Sequence, residues 1–317
     1  MSWVELQVRG LREEARDILG VELCPLERGA LPFAWQAGAH VDVRTGDGLV
    51  RQYSLTNLAD EGCLRLAIKR EAASRGGSQW LHRHLRVGAL LQVGVPRNLF
   101  ALQPGSDEVW LLAAGIGITP LLAMYRQCRL ERRSVRLLYF ARSPAHVAFA
   151  ERLAGDPAVS LVTGLDSAAI DAYLQQHLPV WQGGRQLYTC GPQGFMQRVM
   201  QRAIARGWPD AALHREHFQA PGQTSVRQPG ELRLVLARSG REVEVMAGES
   251  LVQAAARVGV NIPTSCGMGM CGACQTRVLA GEPEHRDQYL SAAEQASGEW
   301  LMPCVSGCRG ARLELDC

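Results

Sequence analysis

The chain has 317 residues, 47% of them hydrophobic and 21% charged, the balance of a globular protein with too much chain for one ordinary core. Its 34 basic and 31 acidic residues are mixed along the sequence for a net charge of +3, which gives no footing for nucleic acid or an anionic membrane surface. The opening MSWVELQVRGLREEARDIL alternates like a strand and lacks the layout of a signal peptide, and no apolar run is long enough to span a bilayer, so the cytoplasm is the expected location.

Residues 1–105 read as short alternating strands punctuated by Gly and Pro, the pattern of a closed antiparallel barrel. Within them Arg51-Gln52-Tyr53-Ser54-Leu55-Thr56-Asn57 sets a permanent cation, a flat aromatic and a hydroxyl along one strand. Such a strand suits a phosphate and a planar ring, although an ordinary strand with a polar face reads the same way. A second segment tips the balance. Ile68-Lys69-Arg70 is followed by Arg75-Gly76-Gly77-Ser78, a glycine-rich turn that feeds the helical SQWLHRHL and offers free N–H groups to a phosphate. His82 and His84 in that helix resemble a metal pair, yet positions i and i+2 lie on different faces, which favours a solvated or capping role.

The segment QPGSD, at Gln103 to Asp107, opens a second module over residues 106–222, where buried apolar strands (EVWLLAAG, VRLLYFAR, RQLYTCG) alternate with helical stretches. That order predicts a parallel sheet with crossover helices. Gly115-Ile116-Gly117-Ile118-Thr119-Pro120 follows the first strand and opens a helix, the position at which a dinucleotide pyrophosphate is bound, although the third glycine of the usual fingerprint is missing. Cys190-Gly191-Pro192 ends another strand on the same edge. Cys190 is either a buried packing cysteine or a neighbour of the bound nucleotide, and the surrounding motifs favour the second. After the second strand, Arg142 and Ser143 are candidate contacts for a ribose 2′-phosphate. The basic run at Arg129 to Arg136 reads as an exposed helix end.

A polar stretch, APGQTSVRQPG at Ala220 to Gly230, precedes the third module, residues 231–317. It reads as two strands, a helix at about Ser250 to Val258 ended by Gly259, a cysteine loop and further strands. Cys266, Cys271 and Cys274 stand in C-x4-C-x2-C and Cys304 follows in LMPCVSG, the ligand spacing of a plant-type [2Fe–2S] cluster. A four-cysteine zinc site ordinarily presents two C-x2-C knuckles, and only Cys271 with Cys274 forms one. Disulfides are the weaker alternative, because ten cysteines without a secretory segment suit a reducing compartment. The glycines of CGMGMCGAC let the loop turn its N–H groups toward cluster sulfurs.

Taken together, RxYSLTN at Arg51 to Asn57, the IKRE and RGGS segments, PRNLF, GIGITP, YTCGP, REHF ending at Phe218 and the four cysteines resemble the ferredoxin–NADP reductase superfamily. Within it, the module order resembles the phthalate dioxygenase reductase and vanillate demethylase reductase family over essentially the whole chain. The resemblance implies three domains: an antiparallel flavin-binding β-barrel, an α/β parallel-sheet nucleotide-binding domain and an α+β β-grasp ferredoxin domain. It implies that Arg51 pairs the flavin phosphate, Tyr53 lies against the flavin, Ser54 faces its N5 edge, and Lys69, Gly76, Gly77 and Ser78 complete the cofactor site. Gly115, Gly117, Thr119, Arg142, Cys190, Gly191 and Pro192 would bind the nucleotide. Ser54, Thr119, Cys190 and Phe218 would surround the meeting point of nicotinamide and flavin, with Phe218 covering the ring until the nicotinamide displaces it. Cys266, Cys271, Cys274 and Cys304 would be the ligands, while Cys24, Cys63, Cys128, Cys308 and Cys317 would be structural or incidental.

The implied cofactors are FMN, with FAD as the alternative, NADH and one [2Fe–2S] cluster. The implied activity is that of the NADH-dependent reductase of a multicomponent oxygenase, with a Rieske non-haem iron terminal oxygenase as partner. FAD-containing reductases of diiron oxygenases, as in the phenylacetyl-CoA epoxidase system, and reductases of haem monooxygenases are the neighbouring alternatives.

Overall fold

Alternation in the opening residues builds β1 (Trp3–Ala15), and Leu6 and Val8 turn inward from it. The computed structural model describes residues 3–27, 29–46, 48–72, 76–218, 232–264, 267–270, 272–287 and 289–317, so Arg75, Cys266, Cys271 and the segment at 220–230 lie outside the described residues. The chain divides into two compact units, Met1–His217 and Phe218–Cys317. Among the described residues no helix is long and apolar enough to cross a membrane.

In the first unit, β1 joins β2 (Ile18–Cys24), β3 (His40–Arg44), β4 (Val50–Ser54), β5 (Leu64–Lys69) and β6 (Leu90–Gly94) in one antiparallel sheet of order β4-β3-β6-β1-β2-β5. The sheet wraps around Leu6, Val8, Val21, Leu23, Val41, Val43, Leu64, Leu66 and Ile68. Beyond β4 the chain meets β5: the Thr56 N–H donates to the Arg65 carbonyl at 2.9 Å, and the fully buried Asn57 amide donates to the Cys63 carbonyl at 2.7 Å and accepts from the Arg65 N–H at 2.9 Å. Asn57 therefore serves the barrel corner. Helix α1 (Gly77–His84) lies before β6, and its two histidines turn to different carbonyls, His82 to Ile68 and His84 to Trp80.

One pair of cysteines departs from the reduced state expected of this composition. Leu23 and Leu64 are direct partners across β2 and β5, so the next residues outward, Cys24 and Cys63, face each other with Cα atoms 4.5 Å apart and are joined in a disulfide. At a sequence separation of 39, the chain-entropy model assigns such a link about 4 kcal/mol.

The same unit carries β7 (Glu108–Ala114), α2 (Ile118–Leu130), β8 (Ser134–Ala141), α3 (Ala150–Leu153), β9 (Val159–Thr163), α4 (Ser167–His177), β10 (Arg185–Cys190), α5 (Gln193–Ala205) and β11 (Leu213–Glu216). The strands form a parallel sheet of order β11-β10-β7-β8-β9. Chain direction across the sheet reverses between β7 and β10, a topological switch point, and doubly wound sheets bind their ligands at the carboxyl ends of the strands flanking such a point. Cross-links to the barrel include Arg126–Glu61 at 2.8 Å, Arg12–Glu151, and the Arg16 N–H donating to the Ala145 carbonyl at 2.9 Å.

The second unit contains β12 (Arg233–Leu236), β13 (Arg241–Glu244), α6 (Leu251–Arg257), β14 (Thr276–Ala280), β15 (Pro283–Glu284), α7 (Ala292–Ser297), β16 (Trp300–Leu301), β17 (Gly307–Cys308) and β18 (Arg312–Leu315). The sheet order is β13-β12-β18-β14-β16, with β12 and β18 parallel, and α6 packs Leu251, Ala254 and Ala255 into its core. Ser250 and Gln253 close a capping box at the start of α6. This is a β-grasp. The fold is thus an antiparallel barrel, a parallel α/β sheet and an α+β cluster module in one chain.

Candidate functional site

On β4, Arg51 and Tyr53 alternate with Gln52 and Ser54 and so point to opposite faces of the strand. The Arg51 side chain runs along the start of α1 in space that only a glycine leaves open: a Cβ on Gly77 would stand 2.6 Å from Arg51 Cγ and 2.7 Å from Nε. Gly76 caps the helix with φ of 95°, and the Ser78 hydroxyl accepts from the Glu71 N–H at 3.3 Å. Arg51, Gly76, Gly77 and Ser78 are therefore assembled around one helix N-terminus, where backbone N–H groups and a guanidinium together suit a phosphate. Tyr53 packs partly on the barrel core, and burial raises its hydroxyl above the ordinary tyrosine value. Ser54 is buried at the strand end opposite His40. Lys69 lies on the surface and pairs with Glu71 at 2.8 Å.

The glycine cradle, with the Arg51 side chain lying along it, fits a phosphate such as a flavin's. Arg51→Ala is expected to weaken flavin retention by about 1.5–3 kcal/mol, the scale of a hydrogen bond to a charged group. Flavin titration of the apoprotein by fluorescence checks this, and unchanged retention would remove Arg51 from the phosphate site.

At the switch point, Gly115-Ile116-Gly117 makes a single turn between β7 and α2. A Cβ on Gly117 would overlap the Cys190 carbonyl and stand 2.7 Å from Gly191 N, so the two strand ends approach backbone to backbone. The buried Thr119 hydroxyl donates to the Ile116 carbonyl at 3.0 Å and fixes the turn. Gly191 follows Cys190, and Pro192 caps α5. Gly115, Gly117, Thr119, Cys190, Gly191 and Pro192 are thus brought together at the carboxyl edge of β7 and β10. Arg142 is exposed just beyond β8 and has no ion pair among the described residues, whereas Ser143 is engaged with His146 Nδ1 at 2.8 Å.

Cys190 is wholly buried, and burial, reinforced by the charge of Glu216, lifts its thiol well above the ordinary value. It is a neutral packing and hydrogen-bonding group, not a thiolate nucleophile. Glu216 was not among the residues that the sequence patterns single out. It is paired directly with Cys190 across β10 and β11, its Oε2 has no partner among the described residues, and burial pushes its carboxyl up to about 8. In the sequence it follows Arg215 in REHF and reads as half of a surface pair; only the parallel register carries it inside. Phe218 is half exposed and falls at the start of the second compact unit.

In that unit the Sγ atoms of Cys274 and Cys304 stand 3.2 Å apart, both buried, too far for a disulfide and close enough to ligate one centre. Cys266 and Cys271 lie outside the described residues. Cys308 turns elsewhere: its thiol donates to the Arg312 carbonyl at 3.4 Å. A buried, closely spaced pair of thiols beside a glycine-rich loop fits a cluster held by thiolates.

Residues 234–309 match the model of the 2Fe-2S iron-sulfur cluster binding domain, and residues 95–213 match that of the N-terminal domain of dimethylamine monooxygenase subunit DmmA-like proteins. A vanillate O-demethylase oxidoreductase from Pseudomonas sp. (strain HR199 / DSM 7063) is 38% identical, with 99% of each chain covered. The chain belongs to this oxygenase reductase family. The solved structure of phthalate dioxygenase reductase, described as a modular structure for electron transfer from pyridine nucleotides to [2Fe–2S], is 32% identical to the reductase with a TM-score of 0.78, covering 100% of this chain and 98% of that one. An intact type IV self-sufficient cytochrome P450 monooxygenase is 34% identical with a TM-score of 0.77; the match takes in 99% of the reductase and 41% of that longer chain.

Proposed function

We propose that this chain is the NADH-dependent reductase component of a multicomponent oxygenase, delivering electrons from NADH through FMN and a plant-type [2Fe–2S] cluster to a Rieske-type terminal oxygenase. The observation that carries the reading is the occurrence, in one chain, of a glycine-packed switch point beside Cys190 and a buried Cys274–Cys304 pair inside a cluster-binding domain. We assign residues 1–105 to the flavin, 106–222 to the nucleotide and 231–317 to the cluster. When bound, the flavin and cluster supply the change from two-electron to one-electron transfer that a hydride donor and a single-electron acceptor require.

The chain's own residues bind, orient and insulate. Arg51 with the Gly76 to Ser78 turn holds the flavin phosphate, and the likeness to phthalate dioxygenase reductase supports FMN over FAD. Gly117 lets the turn after β7 close against the Cys190 carbonyl, so that the two strand ends form one edge for the nucleotide, and Thr119 fixes that turn. Cys190 and Glu216 present neutral groups at the site, so a nicotinamide ring approaches without meeting a buried charge. Cys266, Cys271, Cys274 and Cys304 supply four thiolates. Mass spectrometry of the released cofactor, with iron and sulfide analysis, tests the set; zinc without sulfide, or FAD, would overturn the corresponding assignment.

The nucleotide preference has a separate test. NADH is expected to exceed NADPH in kcat/KM by at least about tenfold, the effect of leaving a 2′-phosphate without a built clamp, since Ser143 is already bonded within its own turn. A clear preference for NADPH would show Arg142 acting on that phosphate. The second reading, a haem monooxygenase as acceptor, is favoured by the likeness to the self-sufficient P450 chain. Reconstitution with purified Rieske and haem oxygenases separates the two.

A further inference from the structure

The cluster loop is braced by a segment that no cofactor motif includes. A Cβ on Gly269 would stand 2.9 Å from Asp287 Cβ and 2.5 Å from Val305 Cγ2, so the loop backbone rests directly on Asp287 and on the residue after Cys304. A Cβ on Gly272 would stand 2.6 Å from Tyr289 Cε2 and 2.7 Å from its hydroxyl, so the Tyr289 ring lies directly against the loop at Gly272. Tyr289 remains 45% exposed, so its ring meets Gly272 while part of it faces solvent.

Asp287 ties this segment to the other part of the ligand set. Its wholly buried carboxylate accepts from the Leu290 N–H at 3.0 Å and from the Ser306 hydroxyl at 3.1 Å, and Ser306 in turn accepts from the Arg286 N–H at 3.1 Å. Ser306 follows Cys304 by two residues. His285 Nδ1 stands 3.5 Å from the same carboxylate. One short segment is therefore packed beneath the loop that carries Cys274 and hydrogen-bonded to Ser306 beside the turn that carries Cys304. A buried carboxylate bonded on both oxygens holds its partners in one register, because losing either bond leaves a desolvated polar group.

We propose that Asp287, through Ser306, and Tyr289 are positioning residues of the cluster: the first pair sets Cys304 against Cys274, and the Tyr289 ring covers the loop at Gly272. The proposal rests on the reading of these cysteines as [2Fe–2S] ligands, and groups that orient ligands in this way tune a metal site without touching the metal.

The test uses the holoprotein and the variants Tyr289→Ala, Tyr289→Phe and Ser306→Ala. Iron and sulfide content of the unmodified protein is measured first, so that failure of the cluster reading is recognised separately. Electron paramagnetic resonance of the reduced cluster and the rate of loss of its visible absorption under a ferrous chelator are then compared, with NADH–ferricyanide activity as a check on the flavin half. Tyr289→Ala and Ser306→Ala should shift or broaden the resonance and speed cluster loss about tenfold, the lower end of the range for groups of this kind. Tyr289→Phe, which keeps the ring, should restore both readouts, and ferricyanide activity should be unchanged throughout. Wild-type resonance and loss rate in both Tyr289→Ala and Ser306→Ala would overturn the proposal, as would a Tyr289→Phe variant as labile as Tyr289→Ala.

Discussion

Cys304→Ser is expected to abolish NADH-driven reduction of cytochrome c while leaving ferricyanide reduction in place, and Cys308→Ser is expected to leave both intact. The two cysteines lie four residues apart at the end of the chain, and either completes the plant-type spacing on inspection. Their surroundings differ. Cys304 Sγ is 3.2 Å from Cys274 Sγ inside the core, whereas the Cys308 thiol is committed to the Arg312 carbonyl. A serine at 308 replaces one donor by another of similar size, a change expected to cost less than about 1.5 kcal/mol. A serine at 304 removes a thiolate ligand, and replacing a direct ligand should cost more than the roughly 10–100-fold typical of groups around a metal site. Ferricyanide is small enough to take electrons at the flavin, so its reduction separates loss of the cluster from loss of the fold. Visible spectra and iron analysis of both variants check the outcome; cluster loss in Cys308→Ser with retention in Cys304→Ser would identify Cys308 as the fourth ligand.

What was legible in the sequence were the features whose physics is local. Alternation in MSWVELQVRGLREEARDIL foretells β1, and the apolar runs ending in Ala114, Ala141 and Cys190 foretell the three inner strands of the parallel sheet. The glycines at 77 and 117 stand out in the sequence as parts of a phosphate turn and a dinucleotide-binding turn, and the structure shows what they leave room for, the Arg51 side chain and the Cys190 carbonyl. The two outer strands carry no such signal. β9, VSLVT, has no residue fully buried, and β11 is only four residues long, so neither carries enough apolar pattern to stand out. Residues whose meaning depends on register were equally hidden. Nothing local distinguishes Glu216 from a surface glutamate, Cys24 and Cys63 become neighbours only through the β2–β5 ladder, and Asp287 acquires its partners from chain on both sides of α7. Lys69 shows the converse error of grouping by sequence. It is close in sequence to the phosphate turn, but its ammonium is paired with Glu71 on the surface.

Glu216→Gln is expected to flatten the pH dependence of the first unit between about pH 5 and pH 8. The carboxyl is held up to about 8 in the folded chain by burial and returns to an ordinary value of about 4.5 on unfolding. Between those values the folded state binds the extra proton, so the unfolding free energy falls as pH rises. The stabilisation is therefore complete below the unfolded value and is lost as pH climbs through about 8. A shift of this size corresponds to a swing on the order of 5 kcal/mol. Denaturation of the flavin-loaded protein, followed by flavin release at pH 5 to 9, measures it. The same titration reaches activity, because Glu216 lies beside Cys190, whose own thiol is driven higher still and stays protonated. Below about pH 8 the neutral acid can donate a hydrogen bond into the switch point; above it, a buried carboxylate takes its place and can only accept. NADH-dependent ferricyanide reduction should accordingly decline through an inflection near pH 8 that is missing in Glu216→Gln. An inflection that persists in the glutamine variant would assign the titration to another group and leave Glu216 with a packing role only.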